Sequence, residues 1–343
     1  MATDDIRHPP EHDPAGDPHR WTSVVTAIRS YLHDVAEDFR GRDLRPADPR
    51  GEDPETIADA VFDLLTRREF TYLSKARSRS YRAAIVADLI RDATAGLPLR
   101  FFYDIGGGYR AGVDGRRALS FSPGLGELLA LRQITRLDRQ VRAVYPRGVR
   151  FCLVVDNICA RLVNDIPLHR TAAYCAELRG LIRQLRLEAS VDLLVESEHF
   201  SPEDYSVDTR GTPTEVPSRA AVENVARFLG RECDVSEAAE RIARYRVVSG
   251  ETERRLQSRV HGVRMTQRAT ASTFGFRCFP GSDSRLQSGD VVLAYRDRDR
   301  IEPRLVTSQS PWAADIRWLD VPDLLPWPGT QVGFVIADRV GSR

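Results

Sequence analysis

Between residues 21 and 36, Val24, Val25, Ile28, Tyr31, Leu32 and Val35 return at steps of three and four, which predicts an amphipathic helix. The polar, proline-containing stretch from 40 to 54 breaks that rhythm and reads as a linker. Asp53 stands where an N-cap belongs and Pro54 suits a first helical turn, so a second helix is expected through Ile57, Val61, Leu64 and Leu65. A third is expected over 78–95, ended by Gly96.

The pattern then changes period. RFFYDI (100–105) is short, aromatic and β-prone, and it runs into Gly106-Gly107-Gly108. FCLVVDN (151–157) and VDLLVES (191–197) are near-continuous apolar runs, as expected of strands covered on both faces. Helical patterns over 125–144 and 171–187 separate them. This alternation predicts an α/β fold, a Rossmann-like parallel sheet core with crossover helices. Two further helices are expected near 217–230 and 235–258. GVRMTQRA, TFGFRCF, DVVLAYRD and QVGFVIAD then make the C-terminal part β-rich. The expected organisation is a flexible leader (1–20), an N-terminal helical region (21–96), the α/β core (97–216) and a C-terminal region (217–343) that completes the pocket.

Composition narrows the function classes. Fifty basic and forty-nine acidic side chains leave a formal charge of +1, without the basic excess of a nucleic-acid binder or the polybasic block of a membrane anchor. No apolar run approaches the ~18 residues of a membrane span, and the Pro-, Asp- and His-rich start lacks a signal-peptide core. Five cysteines without CxxC spacing read as reduced thiols in a cytoplasmic setting, not as a zinc framework. Lys75 is the single lysine, so any Schiff-base mechanism must use it. Arginines in a pocket would instead act as permanent cations that grip carboxylate or phosphate.

Candidate chemistry gathers at the predicted strand ends, where open α/β sheets bind ligands. Asp104, Gly107, Tyr109 and Arg110 follow the first strand. Backbone amides of that glycine loop can approach a phosphate or carboxylate, although a plain tight turn explains the glycines equally well. Asp156 closes the second strand with Asn157 beside it, either as a general base or amine holder or as the cap of a following helix. Glu196 and Glu198 flank Ser197 at the third strand end and would share a face if the chain stayed extended; His199 follows. That cluster invites a metal, yet the only other histidines outside the leader are His33, His169 and His261, no HxxE or HExxH spacing links them, and no metal or cofactor is expected. GxSxG is absent, and Cys152 and Cys159 fall in or beside an apolar strand, which speaks against serine or cysteine nucleophiles.

Residues 97–187 resemble the pyoverdine/dityrosine biosynthesis family, the isocyanide (isonitrile) synthases. The matching segments are Pro123-Gly124-Leu125-Gly126-Glu127, Tyr145-Pro146-Arg147-Gly148, Asp156, and Tyr174 with Leu178-Arg179. Val263-Arg264-Met265-Thr266 and Ser310-Pro311-Trp312 extend the likeness with short segments. The resemblance implies a Rossmann-like enzyme of secondary metabolism that converts the amino group of an amino acid to an isonitrile, with ribulose 5-phosphate as carbon donor and no metal. It implies Glu127, Asp156 and Glu198 as proton-handling groups. Asp104, Gly107, Tyr109, Arg110, Asn157, Glu196, Arg264, Arg268 and Trp312 would surround the amino acid and the sugar phosphate. A homodimer is the assembly to look for. The sequence also departs from the family pattern. Gly106-Gly107-Gly108-Tyr109-Arg110 stands where the family has a lysine-bearing loop, and Arg268 and Ala313 stand at two histidine positions. An arginine stays protonated at accessible pH and cannot shuttle a proton as histidine does.

Overall fold

A computed structural model describes residues 18–40, 53–72, 74, 79–104, 110–111, 117–118, 123–205, 207, 216–229, 232–259, 276–277, 290–296, 300–306, 315–321 and 331–336. Helix α1 (Pro18–Glu37) buries Val24, Ile28, Leu32 and Val35, the stripe that its sequence spacing announces. Helix α2 (Pro54–Leu65) starts as expected, with Asp53 accepting from the Thr56 amide at 3.1 Å. Helix α3 (Arg82–Thr94) is shorter than the 78–95 pattern, and the chain leaves it through Gly96 at a φ of 64°.

Strand β1 (Leu99–Asp104) leads to the short antiparallel pair β2 (Arg110–Ala111) and β3 (Arg117–Ala118). Helix α4 (Leu125–Arg142) then carries the chain to β4 (Val149–Val155). Helices α5 (Asn157–Asn164) and α6 (Leu168–Gln184) return it to β5 (Val191–Val195). The three long strands form a parallel sheet in the order β1-β4-β5. The fold is therefore α/β with a Rossmann-like parallel core, as the pattern predicted. Helix α5 is absent from that prediction: eight residues, too short for a periodic signal, lie directly after a strand of similar composition.

Alternate strand residues divide between two apolar clusters. Phe101, Tyr103, Phe151, Leu153, Val155 and Val191 face one side, with the ring centroids of Phe101 and Phe151 5.3 Å apart. Phe102, Val154 and Leu194 face the other, against Ile158, Cys159 and Val163 of α5 and Val248. Both faces being covered explains why the strands read as continuous apolar runs. Removing one fully buried phenyl ring from such a face costs about 3–5 kcal/mol.

Helices α7 (Arg219–Leu229) and α8 (Val235–Arg259) precede a second sheet of β6 (Asp290–Arg296), β7 (Arg300–Val306), β8 (Arg317–Asp320) and β9 (Gln331–Ile336). Its order is β7-β6-β9-β8, antiparallel except for β6 beside β9. Val291, Leu293, Val332 and Phe334 join the first apolar cluster, and Phe334 meets Trp21 of α1 at 5.5 Å. The β-rich C-terminal part is thus built onto the same core. Strands β7 and β8 escape sequence reading because Pro303 interrupts one and the other spans four residues.

The amino-terminal edge of the parallel sheet is closed by one carboxylate. Asp138 of α4 is 2% exposed and accepts from the Val149 amide at 2.9 Å, the Ser190 hydroxyl at 3.0 Å and Arg142 Nε at 3.0 Å. Tyr145-Pro146-Arg147-Gly148 forms the turn beneath it. The Tyr145 hydroxyl donates to the Leu97 carbonyl at 2.8 Å, and Arg142 Nη1 donates to that of Pro146 at 3.0 Å. Gly148 has a φ of 67°, and a Cβ there would overlap Asp138 Oδ1. Glycine is required on both counts.

Candidate functional site

Strands β4 and β5 are in register at Val155 and Val195, so Asp156 and Glu196 leave the sheet side by side at its carboxyl edge. The two then behave differently. The strand stops at Val195, and Glu196–Glu198 forms a 3-10 turn that sends the carboxylates apart: Glu196 is 0% exposed, whereas Glu198 is exposed. The expectation of a shared face assumed extended backbone and fails for that reason.

Glu196 sits beneath the start of α5. Its Oε2 accepts from the amides of Ile158 at 3.0 Å and Cys159 at 3.3 Å; its Oε1 accepts from the hydroxyls of Tyr205 and Thr252, each at 2.5 Å. Those amides are the first-turn donors that a helix cannot bond internally, and they favour negative charge. Burial, followed by the bond to Glu196, pushes the Tyr205 phenol well above its ordinary range, so it remains a donor. The Arg255 guanidinium lies 5.0 Å above the Tyr205 ring and also pairs with Glu251 at 2.7 Å.

Asp156 occupies the N-cap position of α5 without making a side-chain capping bond. Its backbone, at φ −83° and ψ 52°, departs from the extended conformation of a capping residue. Oδ1 is withdrawn from solvent. Asn157 is fully buried and ties the strand ends together: Nδ2 donates to Ser197 Oγ at 2.7 Å and to Thr171 Oγ1 at 3.3 Å, while Oδ1 accepts from the Ser197 amide at 3.0 Å.

Helix α6 links the other two carboxylates. The Tyr174 hydroxyl donates to Glu127 Oε1 at 3.0 Å, and Glu127 Oε2 accepts from the Gly124 amide at 2.7 Å at the start of α4. One turn on from Tyr174, Arg179 Nη2 meets Glu198 Oε2 at 2.6 Å. Residues from separate matching segments, Glu127 with Tyr174, therefore touch although 47 positions apart. Asp104 ends β1 opposite Val154, and Arg110 opens β2. Gly107, Tyr109, Arg264, Arg268 and Trp312 lie outside the described residues, as do Lys75 and residues 1–17 of the leader, whose last three residues open α1.

Among the described residues, no three His, Cys, Asp or Glu side chains gather as a metal site would require, and no helix is long and apolar enough to cross a membrane. Burial raises the thiols of Cys152 to about 12 and Cys175 to about 11, so both stay protonated at neutral pH and are poor nucleophiles. A groove of about 520 Å³ runs along α1, lined by Thr22, Thr26, Tyr31, Asp34 and Ile301, and none of its lining residues belongs to the strand-end cluster. Sequence reasoning passed over Tyr205 and Thr252, because an isolated hydroxyl carries no motif. Their signal is spatial, a pair of donors converging on one buried carboxylate.

No protein-family model and no curated protein matches the sequence. Among solved structures, that of the PvcA protein from Pseudomonas aeruginosa superposes with a TM-score of 0.56, over 81% of this chain and 99% of that one. The fold is shared with PvcA. Identity is 14%, so the likeness shows the arrangement of elements alone. The alignment takes in nearly all of PvcA, so the likeness extends well beyond a single α/β motif.

Proposed function

We propose that this protein is an enzyme of secondary metabolism, of the isonitrile-synthase type, acting on the amino group of an amino acid with ribulose 5-phosphate as the source of the added carbon. The contact of Glu127 with Tyr174 carries the reading, because it joins two segments of the family resemblance in one hydrogen bond. The fold shared with PvcA supports it. In this reading Asp156 takes the proton released as the amine condenses with the sugar ketone, and the Tyr174 hydroxyl sets the orientation of Glu127 as a second proton carrier. Glu198, steadied by Arg179, faces solvent at the same sheet edge and holds the substrate ammonium. Asp104, Gly107, Tyr109, Arg110, Arg264, Arg268 and Trp312 remain the proposed surround of the two substrates; Asn157 and Glu196, expected beside them, are fully buried and bonded within the protein, and take supporting places instead. No metal or cofactor takes part.

The test is direct. The purified chain is incubated with pooled amino acids and ribulose 5-phosphate labelled with ¹³C, and mass spectrometry follows the label into an isonitrile. Label transfer that vanishes in Asp156→Asn supports the assignment. Consumption of no amino acid, together with no binding of the sugar phosphate, removes it.

A second reading rests on Arg268 and Ala313 at histidine positions and on the glycine loop in place of the lysine. There the scaffold modifies an amino acid by a different reaction. Thermal stabilisation by the amino acid but not by the pentulose phosphate favours it, since only a bound ligand raises the melting temperature. A non-catalytic partner protein would show neither effect.

A further inference from the structure

We infer that Glu196 is a positioning residue: it caps helix α5 from the neighbouring strand and so keeps the Asp156 carboxylate out of its own helix terminus. The inference rests on the reading of Asp156 as a proton-handling group and deepens it.

An aspartate at an N-cap position ordinarily turns back to accept from the second or third amide of its helix. Those donors here are Ile158 and Cys159, and both already point at Glu196 Oε2. Asp156 makes no such bond. The arrangement is costly to build, since a buried carboxylate loses its hydration and must recover it from protein donors. Glu196 recovers it from four, all uncharged, two of them delivered from beyond the parallel sheet: Tyr205 follows a 3-10 turn (Pro202–Asp204), and Thr252 lies on α8. Helix α8 runs antiparallel to α5, with Arg241 Nη1 on the Val163 carbonyl at 2.7 Å near one end and Thr252 on Glu196 near the other. A capped helix needs none of this if its own aspartate does the capping. Asn157 completes the device by bonding Ser197, which fixes the two strand ends relative to each other.

The ¹³Cγ resonance of Asp156 tests the idea. It is recorded at neutral pH in full-length protein labelled at aspartate and assigned with Asp156→Asn. In Glu196→Ala the two amides lose their acceptor, Asp156 turns onto them, and its resonance moves. Glu196→Asp, which retains charge but falls one methylene short, gives the same movement and serves if the alanine variant does not fold. Glu196→Gln leaves the resonance in place, because the amide oxygen still accepts from α5 while its NH₂ group donates to the two hydroxyls.

An unmoved resonance in the folded Ala or Asp variants overturns the inference. So does a Gln variant that moves as far as Ala, which would make the effect one of charge alone. Where turnover of amino acid is measurable, the Ala variant lowers kcat at least about 10-fold with KM unchanged within about twofold, the signature of a group acting only on the chemical step. Movement of the Asp156 signal in a protein that turns over no amino acid sustains the positioning role and removes the reaction, so the two failures are distinct.

Discussion

The two edges of the parallel sheet are each held by a buried carboxylate, and their partners differ. At the amino edge Asp138 faces a guanidinium, an amide and a hydroxyl from α4, β4 and the start of β5. At the carboxyl edge Glu196 faces only neutral donors, two from α5 and two from segments after the sheet. The first is a local closure with its charge balanced on the spot. In the second, neutral donors from distant elements are gathered around the carboxylate. A sheet end that only has to be shut can use an ion pair, whereas one that has to present Asp156 in a set direction needs donors from several elements.

The largest expected effect comes from opening the amino edge. Asp138→Ala leaves Arg142, Ser190 and the Val149 amide without their acceptor and lowers stability by about 3–5 kcal/mol in urea unfolding. A loss under about 1 kcal/mol would mean that this edge is not the closure described, given the usual cost of a buried unpaired group. Gly148→Ala follows, at about 1–3 kcal/mol, because it combines a left-handed backbone with a Cβ that displaces the Asp138 carboxylate. The double variant with Asp138→Ala then costs less than the sum, since both act on one contact.

Thr252→Val removes one of four donors to Glu196 and costs about 1 kcal/mol. Amide exchange at Ile158 and Cys159 should hardly change, as Oε2 keeps both bonds. The smallest effect belongs to Arg179→Ala, which breaks an exposed pair with Glu198 and costs less than about 1 kcal/mol in the same unfolding measurement. In the labelled-sugar assay this change raises KM for the amino acid if Glu198 holds the substrate ammonium, and leaves KM alone if the pair is only a surface contact.

Much of the fold was legible because its elements are long or covered on both sides. The stripe of α1, the Asp53-Pro54 start of α2 and the apolar runs of β4 and β5 all carry a local signal. Helix α5, β7 and β8 lack one, being short or interrupted. The position of Asp156 beside Glu196 followed from strand ends alone. The opposite fates of Glu196 and Glu198 did not, since they depend on a 3-10 turn that no residue in Glu196-Ser197-Glu198 announces. The resemblance segments also divide by edge. Tyr145 to Gly148 close the amino end and contribute shape, while Glu127 in the first turn of α4 meets Tyr174 in the second turn of α6.

One donor to Glu196, Thr252, arrives late in the chain, and that orders its synthesis. The last strand of the parallel sheet is complete at Val195, but Thr252 is 56 positions beyond Glu196. At usual ribosomal rates the nascent chain waits roughly 3–11 s between the two. During that interval Glu196 lacks the Thr252 hydroxyl, so its set of four donors is complete only after α8 has emerged.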